Sequence, residues 1–185
     1  MCAFERSEKG MDFNMNYTNK GKRDILIIPK FNNINKIQII RKKYDELFNV
    51  IVPHITLAFP FKNNISNEEL KEKLLNITKN IKPFKIRCKG ITLREDKKFN
   101  TYYIFLNVKE GKELISMINE KIYQEVLSDI DIKEYNYKPH ITLGNTNNPT
   151  EKIDLDDEFE TIIDSILVET IGENEESIIE FEIKL

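Results

Sequence analysis

The pentapeptide Pro-His-Ile-Thr-Leu occurs twice in the chain, at residues 53–57 and 139–143, and the two copies hold both of its histidines. An internal repeat restricts the fold more than composition does, because one local solution has to be built twice. In extended backbone, residues i and i+2 share a face. His54 and Thr56 therefore point one way and Ile55 and Leu57 the other, and His140, Thr142, Ile141 and Leu143 repeat the pattern. Each copy reads as a strand with an apolar back and a His–Thr front. If the two strands lie side by side, or face each other across a groove, two imidazoles and two hydroxyls converge on one small volume.

The surrounding pattern supplies the other elements. Asp24 to Pro29 is a short apolar run ended by proline and reads as a buried strand. From Asn35 to Phe48 the apolar residues Ile37, Ile40, Tyr44, Leu47 and Phe48 recur at helical spacing. Val50 to Phe59 reads as a strand made irregular at its start by Pro53. Ser66-Asn67-Glu68-Glu69 is a capping box that opens a helix carrying Leu70, Leu74, Ile77 and Ile81, with Pro83 beyond its end. Phe84 to Arg94 and Thr101 to Val108 form a hairpin about a polar turn. Gly111 to Leu127 is an amphipathic helix, Lys138 to Gly144 a strand, and Glu160 to Ile171 and Ser177 to Leu185 a closing pair of strands. This order gives an α+β class with mostly antiparallel pairing.

At 185 residues the chain is expected to be one domain or two tightly fused lobes, with residues 1–22 as an N-terminal extension and 23–185 as the folded unit. No apolar run approaches the ~18–20 residues of a membrane span. Met1 to Asn19 lacks the apolar centre of a secretion signal, so the expected compartment is the cytoplasm. Two cysteines, Cys2 and Cys88, provide neither a disulfide framework nor zinc spacing. With 28 basic and 31 acidic side chains the net charge is −3. That argues against a long nucleic-acid groove and leaves room for a small nucleotide or a single RNA end.

The converging groups suit in-line attack at phosphorus. An imidazole with a pKa near ~6.5 works as base or acid around neutrality. One neutral histidine would take a proton from water, and one charged histidine would give a proton to the leaving oxygen. The threonine hydroxyls can donate to the non-bridging oxygens. No metal is needed to make the nucleophile. A metal site would need a third and fourth ligand, and no carboxylate or cysteine recurs with the repeat. A duplicated structural strand with packed histidines is the third reading. Phe59, Phe61, Tyr135 and Tyr137 flank the motifs and could stack on a base at the rim of a cleft.

The two His-x-Thr motifs, each between hydrophobic residues and 86 positions apart, resemble those of the two-histidine phosphoesterase superfamily, of the 2′-5′ RNA ligase and cyclic phosphodiesterase type. The resemblance covers roughly Asp24 to Leu185 and implies a bilobal, pseudo-two-fold α+β fold. Its antiparallel sheets would be flanked by helices, with the active-site cleft between the lobes. It implies metal-independent cleavage at a 2′,3′-cyclic phosphate, a 2′-5′ linkage or a related small nucleotide or RNA terminus, with no cofactor. His54 and His140 would be the acid–base pair, and Thr56 and Thr142 the phosphate-binding residues.

Some members follow the second motif with a basic residue. Here the chain reads Gly144-Asn145-Thr146, so Lys62 and Lys138, with Phe61 and Tyr137, are the further candidate substrate contacts. The expected protein is a monomer without a membrane partner. The alternative is a non-catalytic module that binds a nucleotide or an RNA end in a retained phosphate pocket.

Overall fold

The computed structural model describes residues 21–130 and 136–185. Eleven elements follow one another: β1 (Arg23–Ile27), α1 (Ile34–Tyr44), β2 (Ile55–Phe61), α2 (Asn67–Thr78), β3 (Phe84–Asp96), β4 (Thr101–Glu110), α3 (Lys112–Glu125), β5 (His140–Thr146), β6 (Phe159–Ile163), β7 (Ser165–Ile171) and β8 (Ser177–Lys184). The strands form two four-stranded sheets, ordered β2-β1-β7-β8 and β5-β4-β3-β6. Every pairing is antiparallel. The α+β class and the two antiparallel sheets expected from the sequence are what the chain forms, and each motif strand is the edge of its own sheet.

The apolar backs of the motifs fix this arrangement. Ile55, Leu57, Ile141 and Leu143 are fully buried in one core that joins both sheets and the helices. Burial of each contributes about 1.5–3 kcal/mol, and a one-residue slip of either strand would turn a pair of them outward.

The units β1-α1-β2 and β4-α3-β5 are built alike, each ending in a motif strand that pairs back with its own first strand. Their helices are exchanged: α1 packs on β5 and α3 on β2. The exchange covers the exposed edge of β2. Asn119 of α3 donates to Leu57 O at 2.7 Å, the Tyr123 hydroxyl accepts from Phe59 N at 3.2 Å, and the Tyr137 hydroxyl donates to Thr56 O at 2.7 Å. Backbone groups that an edge strand leaves open are thereby paired.

At the other contact, Gly144 has φ +126 and lies so close to the end of α1 that a Cβ would overlap the Tyr44 carbonyl. Only glycine meets both conditions.

Several boundaries differ from the sequence expectation, α2 among them, which ends at Thr78 before Ile81. Helix α1 stops at Tyr44 rather than Phe48, because the Asp45 side chain accepts from Leu47 N at 2.9 Å and starts a turn. The segment expected as a single strand over 160–171 is two strands, β6 and β7, that belong to different sheets and are separated at Asp164. Strand β2 starts at Ile55, after Pro53 rather than before it. The helix cap is as expected at its forward bond, with Ser66 Oγ accepting from Glu69 N at 3.2 Å.

Residues 1–20 of the expected extension lie outside the described residues. Gly21 and Lys22 exchange backbone bonds with Ile171, at 2.7 and 2.9 Å, which continues the β1–β7 ladder. Among the described residues no helix is long and apolar enough to cross a membrane.

Candidate active site

The two histidines are held by the same bond. His54 Nδ1 lies 2.9 Å from Val52 O, and His140 Nδ1 lies 2.6 Å from Lys138 O. A carbonyl can only accept, so each Nδ1 carries the proton and each Nε2 is the ring atom that can exchange protons with a bound molecule. The accepting carbonyl in each case belongs to the residue before proline, Pro53 or Pro139, and both peptides are trans. Proline narrows the conformation of the residue ahead of it to extended backbone, which aims that carbonyl. The prolines of the repeat thus orient the imidazoles, a role the sequence reading did not assign although both were in view.

His54, Thr56 and Thr142 line one cavity of about 420 Å³. His140 sits two residues before Thr142 on the same face of β5 and lines a second groove of about 950 Å³, which has no lining residue in common with the first. Both imidazoles are half-buried. Thr56 reaches this face from the first sheet and Thr142 from the second, so the site is assembled across the lobes.

The walls on the two sides differ. The His54 cavity is lined by Asp24, Arg41, Asp45, Glu46, Glu169 and Glu175. Asp24 and Glu169 are cross-strand partners on β1 and β7, and both are buried. The Ser177 hydroxyl donates to the Glu169 carboxylate. Burial pulls the His54 pKa below the ordinary imidazole value, the bond to Val52 O and the charges of Glu169 and Asp45 oppose the fall, and Arg41 adds to it.

His140 rests against the ring of Phe105, with centroids 3.7 Å apart, and Tyr103 stacks on Phe105 at 6.1 Å. Burial pushes the His140 pKa down to about 4; the bond to Lys138 O resists, while the positive charges of Arg94 and of His54 add to the fall.

The other sequence candidates are distributed unevenly. Phe59 lines the His54 cavity. Phe61 is a correction: it is 3% exposed, packs in the core, and has the Arg23 guanidinium 5.8 Å from its ring centroid. The registers of β1 and β2 shift between Leu26 and Arg23, which changes the side-chain phase along β2 and turns this ring inward. Lys62 is exposed and lines neither cavity. Tyr137 and Lys138 line the His140 groove, where Lys138 also supplies the carbonyl for His140. Tyr135 lies outside the described residues.

Arg41, Glu169, Phe105 and Arg94 were missed. Nothing in a single sequence places Arg41, Glu169 or Phe105 beside a motif. Among the described residues no group of three or more His, Cys, Asp or Glu is placed to hold a metal ion.

With paired His-x-Thr strands meeting across the lobes, the matching family model is the 2′-5′ RNA ligase superfamily, over residues 29–169. The chain belongs to that superfamily. Among curated relatives, a Bacillus pumilus protein named "Putative phosphoesterase" is 28% identical over 121 residues, 62% of this chain and 64% of that protein. A similarly named Bacillus cytotoxicus protein is 28% identical over 138 residues, 72% of this chain and 75% of that protein. The first of these matches thus spans just under two thirds of its relative's length.

Among solved structures, TT0787 of Thermus thermophilus covers 89% of this chain and 97% of its own, with a TM-score of 0.61 at 15% identity. E. coli LigT complexed with 3′-AMP covers 89% and 98%, with a TM-score of 0.58 at 14% identity. These likenesses show a shared fold.

Proposed function

We propose that the chain is a phosphoesterase that cleaves a 2′,3′-cyclic phosphate, a 2′-5′ linkage or a related bond in a small nucleotide or RNA terminus. The observation that carries this reading is the matched orientation of His54 and His140, each with Nδ1 bound to a carbonyl two residues back, which makes Nε2 the proton-transfer atom. Family membership and relatives named as phosphoesterases support it. So do the solved complexes of LigT with 3′-AMP, NADP+, ATP and phosphate, which share the fold.

In the reaction, Thr56 and Thr142 donate to the non-bridging oxygens and hold phosphorus between the imidazoles. His140 serves as the base, because burial and the cation at Arg94 keep it neutral at pH 7. Its Nε2 takes a proton from water as the water oxygen bonds to phosphorus. We assign His54 as the acid: burial lowers its pKa too, but the carboxylates of Glu169 and Asp45 oppose that fall, whereas His140 faces the cation of Arg94. Its Nε2–H passes to the leaving 2′ or 3′ oxygen as the phosphorus–oxygen bond breaks. The product is a monoester, and proton exchange with solvent returns both rings to their starting forms. No step calls on a metal or cofactor.

The test is a panel of 2′,3′-cyclic mononucleotides and 2′-5′ dinucleotides incubated with EDTA and followed by phosphorus NMR. Conversion of at least one substrate, lost in His54→Ala and in His140→Ala, is the expected result. Binding without conversion of any member would leave a nucleotide- or RNA-end-binding module in its place.

A further inference from the structure

We propose that Arg41 is a positioning residue for His54, acting through the backbone that orients the imidazole. Arg41 is 2% exposed on α1. Its Nε and Nη2 meet Asp45 Oδ2 at 2.8 and 2.7 Å, and Nη1 meets Gln38 Oε1 at 3.2 Å. Nη2 also donates to Ile51 O at 2.6 Å. Ile51 precedes Val52, whose own carbonyl accepts from His54 Nδ1–H. Val52 is thus held from one side by the guanidinium on Ile51 and from the other by Pro53.

A planar fork that bonds a carboxylate and a carbonyl together is something guanidinium does and an ammonium does not. The guanidinium lines the His54 cavity, so it is also placed where a phosphate-binding cation would be sought. Each of its three nitrogens, however, is engaged, by Asp45, Gln38 and Ile51, and Asp45 balances its charge. The second copy of the motif is anchored otherwise, with Val108 N donating to Pro139 O at 3.3 Å. Arg41 therefore acts on one histidine of the pair.

The inference rests on His54 being a working group of the cleft. Its readout is the free protein, so a failed substrate screen and a failed positioning role are told apart. The experiment records long-range proton–nitrogen NMR spectra of the full chain labelled at histidine nitrogen, for wild type, Arg41→Lys and the double variant Arg41→Gln, Asp45→Asn. The double variant removes both charges and leaves neither buried alone.

Wild type should show a fixed Nδ1–H tautomer at both histidines. Both variants should move His54 toward averaged tautomers and leave His140 unchanged. Affinity for inorganic phosphate should stay within about threefold in Arg41→Lys, while kcat on any substrate found falls roughly 10–100-fold with little change in KM. An unchanged His54 signature in either folded variant would overturn the inference. So would equal changes at both histidines, or phosphate affinity lost with the signature intact, which would make Arg41 a phosphate ligand. Loss of the fold in both variants would overturn it as well, by making Arg41 a structural residue alone.

Discussion

The two copies of Pro-His-Ile-Thr-Leu have one sequence and one tautomer-fixing bond, yet they stand in different surroundings. The first faces a wall of carboxylates, with Glu169 and Asp45 near His54 and Arg41 behind it. The second lies on the face of Phe105, with Arg94 as the charge that most affects it. What five residues can encode by themselves is shared: the strand phase, the carbonyl before proline and the hydroxyl two residues on. What sets the two histidines apart comes from strands and helices elsewhere in the chain. In the proposed reaction the duplicated motif takes two opposite proton-transfer roles because its neighbours are not duplicated with it.

The largest effect that would test this comparison is on turnover. His54→Ala and His140→Ala should each lower kcat by about 10²–10⁴-fold, with the circular dichroism spectrum retained, and steady-state assay of each variant checks it. A variant losing less than about tenfold would show that only one copy works.

Gly144→Ala probes how the lobes are joined. The added methyl meets the Tyr44 carbonyl and the backbone must leave φ +126, so the variant should lose about 2–4 kcal/mol in urea unfolding. Thr56→Val and Thr142→Val probe whether the fronts are equivalent. Each removes one donor to a charged oxygen and should cost about 1.5–3 kcal/mol of transition-state stabilisation in kcat/KM, by similar amounts. A large inequality would place phosphorus closer to one strand.

The remaining expected effect is on acid stability. His140 titrates lower in the folded chain, at about 4, than in the unfolded chain, near 6.5. The unfolded state therefore takes up the proton first as pH falls. The contribution of neutral His140 is complete above pH 6.5 and is lost progressively toward pH 4. Unfolding measured across that window should show a shallower decline in His140→Asn than in wild type.

The sequence made part of this legible for definable reasons. Short-range rules apply where the causes are short-range: alternation gave the faces of the motif strands, and Ser66 with Glu69 gave the start of α2. The change of sheet at Asp164 has no local signal, because 160–171 is β-prone throughout and the break depends on which sheet each half meets. Arg41 and Asp45 sit at a spacing that usually marks an exposed helix face. The burial of Arg41 goes with the segment before β2 lying over α1, where Ile51 O reaches the guanidinium. Phe61 followed the motif closely enough to be taken for a rim residue, and a register shift in the β1–β2 pair turned it into the core.

The claim beneath all of this is that two imidazoles from different lobes serve one phosphorus atom, and the pH dependence of kcat/KM tests it most directly. One ring must be neutral and the other charged, and both are held below 6.5 in the free protein. The account predicts a bell with its maximum below pH 6.5, from which His54→Ala and His140→Ala each remove one limb in their residual activity. A profile in wild type with a single limb, or a bell left intact by either replacement, would contradict it.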